Sequence, residues 1–149
     1  MVMEYKNREI GSFEDLEVWR QAIKIQRIIR ETVKKFPKIE RYRLEDQLIR
    51  SSRSIARNIA EGYGRYYYQE NIYFCRISRG SLCEVLNDSI TAFEENYISE
   101  DILIELRQEI EINNRLINGY IKYLLKAKKG EYVGKEKINF KPDHKTSNQ

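Results

Sequence analysis

The chain has 149 residues, 41% of them hydrophobic and 34% charged, with a net charge of +4, which suits one globular domain with its own core. A single histidine (His144) and two cysteines without CxxC spacing supply neither a zinc set nor a Ser–His–Asp or Cys–His arrangement, so the expectation is no enzyme, no metal and no cofactor. No apolar run reaches bilayer length and no leader stands at the start, so the expectation is a cytoplasmic protein with no membrane partner.

Only two prolines and seven glycines interrupt the chain, which favours long helices. The first is expected over residues 14–36. Ser12 and Asp15 resemble a capping box, and Glu14, Asp15 and Glu17 suit the positive end of the helix dipole. Leu16, Trp19 and Ile23 form one stripe; Val18, Ala22, Ile25, Ile29, Val33 and Phe36 form another, and Pro37 ends the helix. A second helix is expected over 42–61, with Leu44, Leu48, Ser52, Ile55 and Ile59 on one face. Gly62 is placed as a left-handed cap, with Gly64 just beyond it. A third spans 69–95 and turns Ile72, Cys75, Leu82, Leu86, Ser89 and Phe93 inward. The fourth starts after Ser99, an N-cap, with a seam of Leu103, Leu106, Ile110, Asn113, Ile117, Tyr120 and Leu124. Short connections predict an all-α, antiparallel up-down-up-down four-helix bundle.

This gives a flexible segment over 1–12, the bundle over 13–129 and a polar, largely disordered tail over 130–149, with a short ordered patch near Tyr132 and Val133. Cys75 and Cys83, eight residues apart on one helix, lie roughly 12 Å from each other, too far to bridge. Both read as small core residues. The second helix carries a further apolar set, Ile49, Ala56 and Ala60, and the fourth adds Ile112, Leu116 and Tyr123. Either a central helix touches both neighbours or subunits associate through these faces.

Charge is unevenly spread. Residues 41–79 hold eight arginines, no lysine and four acids, whereas residues 80–125 hold three bases and nine acids. Residues 126–149 add seven lysines against three acids. Arg43, Arg50 and Arg57 recur every seventh residue and form one line down the second helix. Arg53 flanks it, Arg65 follows the turn, and Arg76 and Arg79 lie one turn apart on the third helix. Tyr63, Tyr66, Tyr67, Tyr68 and Tyr73 interleave with them. Guanidinium groups suit phosphates and aromatic rings stack on bases, so this zone is the candidate nucleic-acid surface. The other reading pairs the arginines with carboxylates: Arg57 with Glu61 along the helix, or with the acidic fourth helix in the same or another subunit. Glu105, Glu109 and Glu111 read as a solvated face, and Asn58 and Glu61 as a polar cap for the turn.

Four motifs in order carry a resemblance: Phe13-Glu-Asp-Leu-Glu-Val-Trp19, Phe36-Pro37, Asn58-Ile-Ala-Glu-Gly-Tyr-Gly-Arg65, and Ser78-Arg-Gly-Ser-Leu82 followed by Glu84. Together they resemble the small four-helix-bundle proteins encoded by intervening sequences of bacterial 23S rRNA genes, a family that also takes in the accessory variability protein of diversity-generating retroelements. The resemblance spans about 13–125. It implies an antiparallel four-helix bundle assembled as a ring-like homopentamer, and for the retroelement branch a basic surface for nucleic acid, RNA favoured here, and for a partner reverse transcriptase. It brings no catalytic residues. Asn58, Glu61, Gly62 and Gly64 match as structural positions.

Overall fold

The computed structural model describes residues 11–129; the expected N-terminal segment and lysine tail fall almost wholly outside them. The described residues form four α-helices and two short 3-10 turns, with no strand: α1 Glu17–Val33, α2 Leu44–Tyr63, α3 Tyr68–Glu94 and α4 Glu100–Lys128. Each helix packs against two others: α1 and α3 both contact α2 and α4. None is long and apolar enough to cross a membrane.

The chain enters α1 differently from the expectation. The Ser12–Asp15 capping box forms, but on a separate 3-10 turn over Phe13–Asp15. Leu16 is extended (φ −72°, ψ 123°), and α1 starts at Glu17. The box satisfies its own single turn, and the Phe13 and Trp19 rings meet edge to face at 5.2 Å across the break. Arg20 Nε donates to the Glu14 carbonyl at 2.8 Å, which locks the corner. The deeper of the two expected α1 stripes, from Val18 to Phe36, is buried throughout.

Between α1 and α2, Glu40 stands in for a capping side chain. Its Oε2 accepts from the Leu44 backbone N–H at 3.2 Å, while its Oε1 accepts from the Tyr97 hydroxyl at 3.1 Å. Phe36 and Tyr97 pack ring to ring at 5.5 Å. One carboxylate therefore ties the start of α2 to the segment after α3. That segment turns at Asn96, whose φ of 62° is the left-handed conformation. Tyr97 N–H bonds the Ala92 carbonyl and Asn96 N–H the Phe93 carbonyl, a Schellman closure of α3. Ser99 then caps α4 as expected, accepting from Ile102 N–H at 3.3 Å.

Gly62 is not the left-handed cap. It lies inside α2 and is buried, and Gly64, the C-cap, has an ordinary right-handed φ of −75°. What Gly62 supplies is proximity. A Cβ there would lie 2.7 Å from Asn71 Oδ1 and 2.9 Å from Phe74 Cβ. Small residues continue this close approach along α2 and α3. Ser78 Oγ donates to the Ile55 carbonyl at 2.8 Å, and Ser81 Oγ meets Ser54 Oγ at 2.8 Å. Of the second apolar set on α2, Ala56 is buried and Ile49 packs on the core; on α4, Leu116 and Tyr123 do the same, leaving Ile112 exposed.

Buried polar groups hold α4 in place. Asn113 Nδ2 donates to the Val18 carbonyl at 3.1 Å, and Asn71 Nδ2 donates to the Tyr120 hydroxyl at 3.0 Å. Burial pushes the Tyr120 hydroxyl well above its usual range. Glu109 corrects the solvated-face reading. Its carboxylate takes Lys24 Nζ at 2.8 Å and Gln21 Nε2 at 2.5 Å, joining α4 to α1. Burial alone would raise its pKa, but these two hydrogen bonds outweigh burial and hold it below 4.5.

Candidate nucleic-acid interface

The close packing of α2 on α3 brings a row of hydroxyls to the surface seam. Ser51, Ser54 and Ser81 floor an open groove of about 1010 Å³ between the two helices. Arg50, Arg53 and Arg57 stand along its α2 wall; Glu84 and Asp88 stand along its α3 wall. A groove with a small-residue floor follows directly from the serines, since bulkier side chains would fill the seam.

The seven predicted arginines divide into separate places. Arg50, Arg53 and Arg57 share the groove. Arg50 reaches back to Asp46 at 3.0 Å, one turn earlier, on a pair whose arginine is 79% exposed; such a surface pair is worth little. Arg53 and Arg57 are exposed and make no ion pair with any described carboxylate. The expected Arg57–Glu61 pair is absent among the described residues, because Glu61 bonds Arg65 instead at 2.8 Å. Arg43 is exposed at the N-terminal boundary of α2. Arg79 points to α4, where its Nη1 donates to Asn118 Oδ1 at 2.8 Å. Arg76 is exposed on α3.

At the α2–α3 turn a second, smaller pocket of about 420 Å³ is lined by Arg65, Gln69, Glu70, Tyr73 and Phe74. The Arg65 guanidinium lies over the Phe74 ring, 5.0 Å from its centroid. Tyr73 meets Phe74 edge to face at 5.4 Å and remains 58% exposed. Neither Asn58 nor Glu61 caps the turn. Asn58 Nδ2 donates backward to the Ser54 carbonyl and hydroxyl, at 2.8 and 2.9 Å, so it braces α2 next to the groove floor.

Sequence reasoning counted Glu84 and Asp88 within the acidic 80–125 stretch but missed that they face the arginines across a groove. The signal was present as Tyr73, Ile77, Ser81, Glu84 and Asp88, all at helical spacing on one stripe of α3. Cys83 was placed in the core but is exposed and lines the groove, whereas Cys75 is buried and its thiol is pushed up to about 12 by burial. Among the described residues no cluster of His, Cys, Asp and Glu is arranged to hold a metal ion.

The model of one protein family, described as 23S rRNA-intervening sequence protein, matches residues 14–119. That span runs from the first 3-10 turn into the last third of α4 and contains both pockets. No curated protein matches the chain.

Proposed function

Because the chain belongs to the 23S rRNA-intervening sequence protein family, we propose that it is a non-enzymatic, self-associating bundle that binds nucleic acid, RNA above all, through the α2–α3 groove. The observation that carries this reading is the arginine wall. Arg53 and Arg57 are held over a hydroxyl-lined floor with their guanidinium groups uncommitted to any described carboxylate. An arginine without a carboxylate partner keeps its donor fork for a phosphate. Arg43, Arg65 and Arg76 extend the same field; Arg79 contributes less, since Asn118 already holds it.

The fold proposed with this function alternates up-down-up-down. Pairings between α3 and α4 support antiparallel packing: Gln69 with Lys128, Asn71 with Tyr120 and Arg79 with Asn118 run in opposite sequence directions. A ring-like homopentamer in the cytoplasm completes the proposal, and its geometry would multiply the arginine field around one axis.

A second reading has an observation of its own. The groove's walls carry opposite charges, Arg53 and Arg57 against Glu84 and Asp88, so the surface is complementary to a second copy of itself. In that reading the protein is an interaction scaffold, such as an accessory subunit for a retroelement reverse transcriptase, with its arginines in inter-subunit ion pairs.

One experiment separates the two: mass by light scattering and RNA retention, on wild type and on the Arg50→Glu, Arg53→Glu, Arg57→Glu variant. The first reading expects the variant to keep its mass and lose RNA. Its log–log salt slope should fall by about 2, at roughly 0.7 per phosphate contact. Loss of the oligomer with RNA retention unchanged would replace the first reading with the second.

A further inference from the structure

The two pockets share one stripe of α3. Tyr73 lines the turn pocket; Ile77, Ser81, Glu84 and Asp88 line the groove. Fifteen residues of helix separate Tyr73 from Asp88, about 22 Å along the axis. On α2 the arginine wall runs toward the same turn, where Arg65 is fixed over Phe74 by its bond to Glu61. An aromatic pocket therefore opens at the end of a basic groove.

Across that groove stands the opposite charge. Glu84 is exposed, and Asp88 accepts a hydrogen bond from Asn87 Nδ2 at 3.2 Å. Neither makes an ion pair with the facing arginines. The two walls are thus not bridged by an ion pair across the groove. A ligand lying in the groove meets donors on one side and carboxylates on the other.

We propose that turn pocket and groove form one track for a single strand of RNA, and that Glu84 and Asp88 exclude a duplex. This rests on the nucleic-acid reading above. A single strand lays its phosphates along Arg57, Arg53 and Arg50 and turns an unpaired base onto the exposed ring of Tyr73. The exocyclic amino and imino groups of its other bases face carboxylate acceptors on the far wall. A duplex satisfies neither demand. Its bases are already stacked and paired, and its second phosphate strand is turned toward Glu84 and Asp88, where like charges repel.

The test measures binding of the full-length chain to a short labelled oligouridylate and to an RNA duplex of matching length, by fluorescence anisotropy at fixed salt. The wild type should prefer the single strand by roughly tenfold or more, the scale of one or two base-stacking contacts. Tyr73→Ala should remove about tenfold of single-strand affinity and leave duplex affinity unchanged. The Glu84→Gln, Asp88→Asn variant should gain duplex affinity several-fold. Tyr73 and Glu84 are exposed, so circular dichroism should report unchanged folding in these variants. Equal binding of both RNAs by wild type, or a Tyr73→Ala variant with wild-type affinity for oligouridylate, overturns the track and leaves nucleic-acid binding standing. Failure to bind either RNA at low salt overturns both.

Discussion

Replacing Gly62 by alanine sets two opposing effects against each other. Inside a helix, glycine costs about 1 kcal/mol relative to alanine, so the exchange alone should stabilise. At this position the added methyl would meet Asn71 Oδ1 at 2.7 Å, Phe74 Cβ at 2.9 Å and the Asn71 carbonyl oxygen at 3.1 Å. Carbon atoms in ordinary contact sit about 3.5–4.0 Å apart. Two of the three contacts are with atoms fixed to the α3 backbone, so α3 must shift by several tenths of an ångström at its tightest approach to α2. Overpacking of that kind costs typically 1–3 kcal/mol. Asn71 cannot simply swing aside, because it is 3% exposed and its amide donates to Tyr120. Disturbing that bond adds about 1 kcal/mol. The balance is a net loss of about 2 kcal/mol. Gly80 is the matched control: it lies in α3 with nothing within 4 Å of an added Cβ. There alanine should gain about 1 kcal/mol. At about 3 °C per kcal/mol for a chain of this size, the two variants should melt roughly 9 °C apart, Gly62→Ala below wild type and Gly80→Ala above it. Thermal unfolding by circular dichroism, with urea midpoints as a second measure, reads the difference. A Gly62→Ala protein that melts at or above wild type would refute the close-packing account of this glycine.

Acid should unfold the protein partly through Glu109. Its folded pKa lies below 4.5 because the bonds from Lys24 and Gln21 outweigh burial, so its contribution is present above the unfolded pKa and fades as pH falls through the folded value. Glu109→Gln should flatten stability against pH in the acid range below about pH 5, and an unchanged slope counts against the bridge. The two thiols should separate cleanly. Cys83 is exposed and should react with a disulfide reagent in the native protein, whereas Cys75, with its pKa pushed up to about 12, should react only after unfolding. Bound oligouridylate should slow labelling of Cys83, since that cysteine lines the groove; equal rates with and without RNA would place the RNA elsewhere.

Local pattern determined the four helices and their buried faces, though not where α1 begins. The buried stripe from Val18 to Val33, the inward face from Leu44 to Ile59, and the seam from Leu103 to Leu124 all follow from periodicity, and Ser99 announced its cap. These features depend on residues within a few positions of each other, so the chain carries them in its order. The arginine-rich character of 41–79 is likewise a property of the sequence. How those arginines are spent is not. Glu61 had Arg57 four residues before it and Arg65 four residues after it, and spacing could not choose between them; in the folded chain Arg65 has the ring of Phe74 to rest on. Gly62 looked like a turn residue because glycine is permissive of left-handed geometry, yet its use is to let α3 close in, which depends on what stands opposite. Glu109 reads as one more surface acid until α1 brings Gln21 and Lys24 to it, and Arg79 joins α4 rather than the basic zone. Partner choice across helices is a non-local event. The helix faces were written in the sequence; the groove, with arginines on one wall and carboxylates on the other, came into being only when serines and a glycine let α2 and α3 pack closely enough to make it.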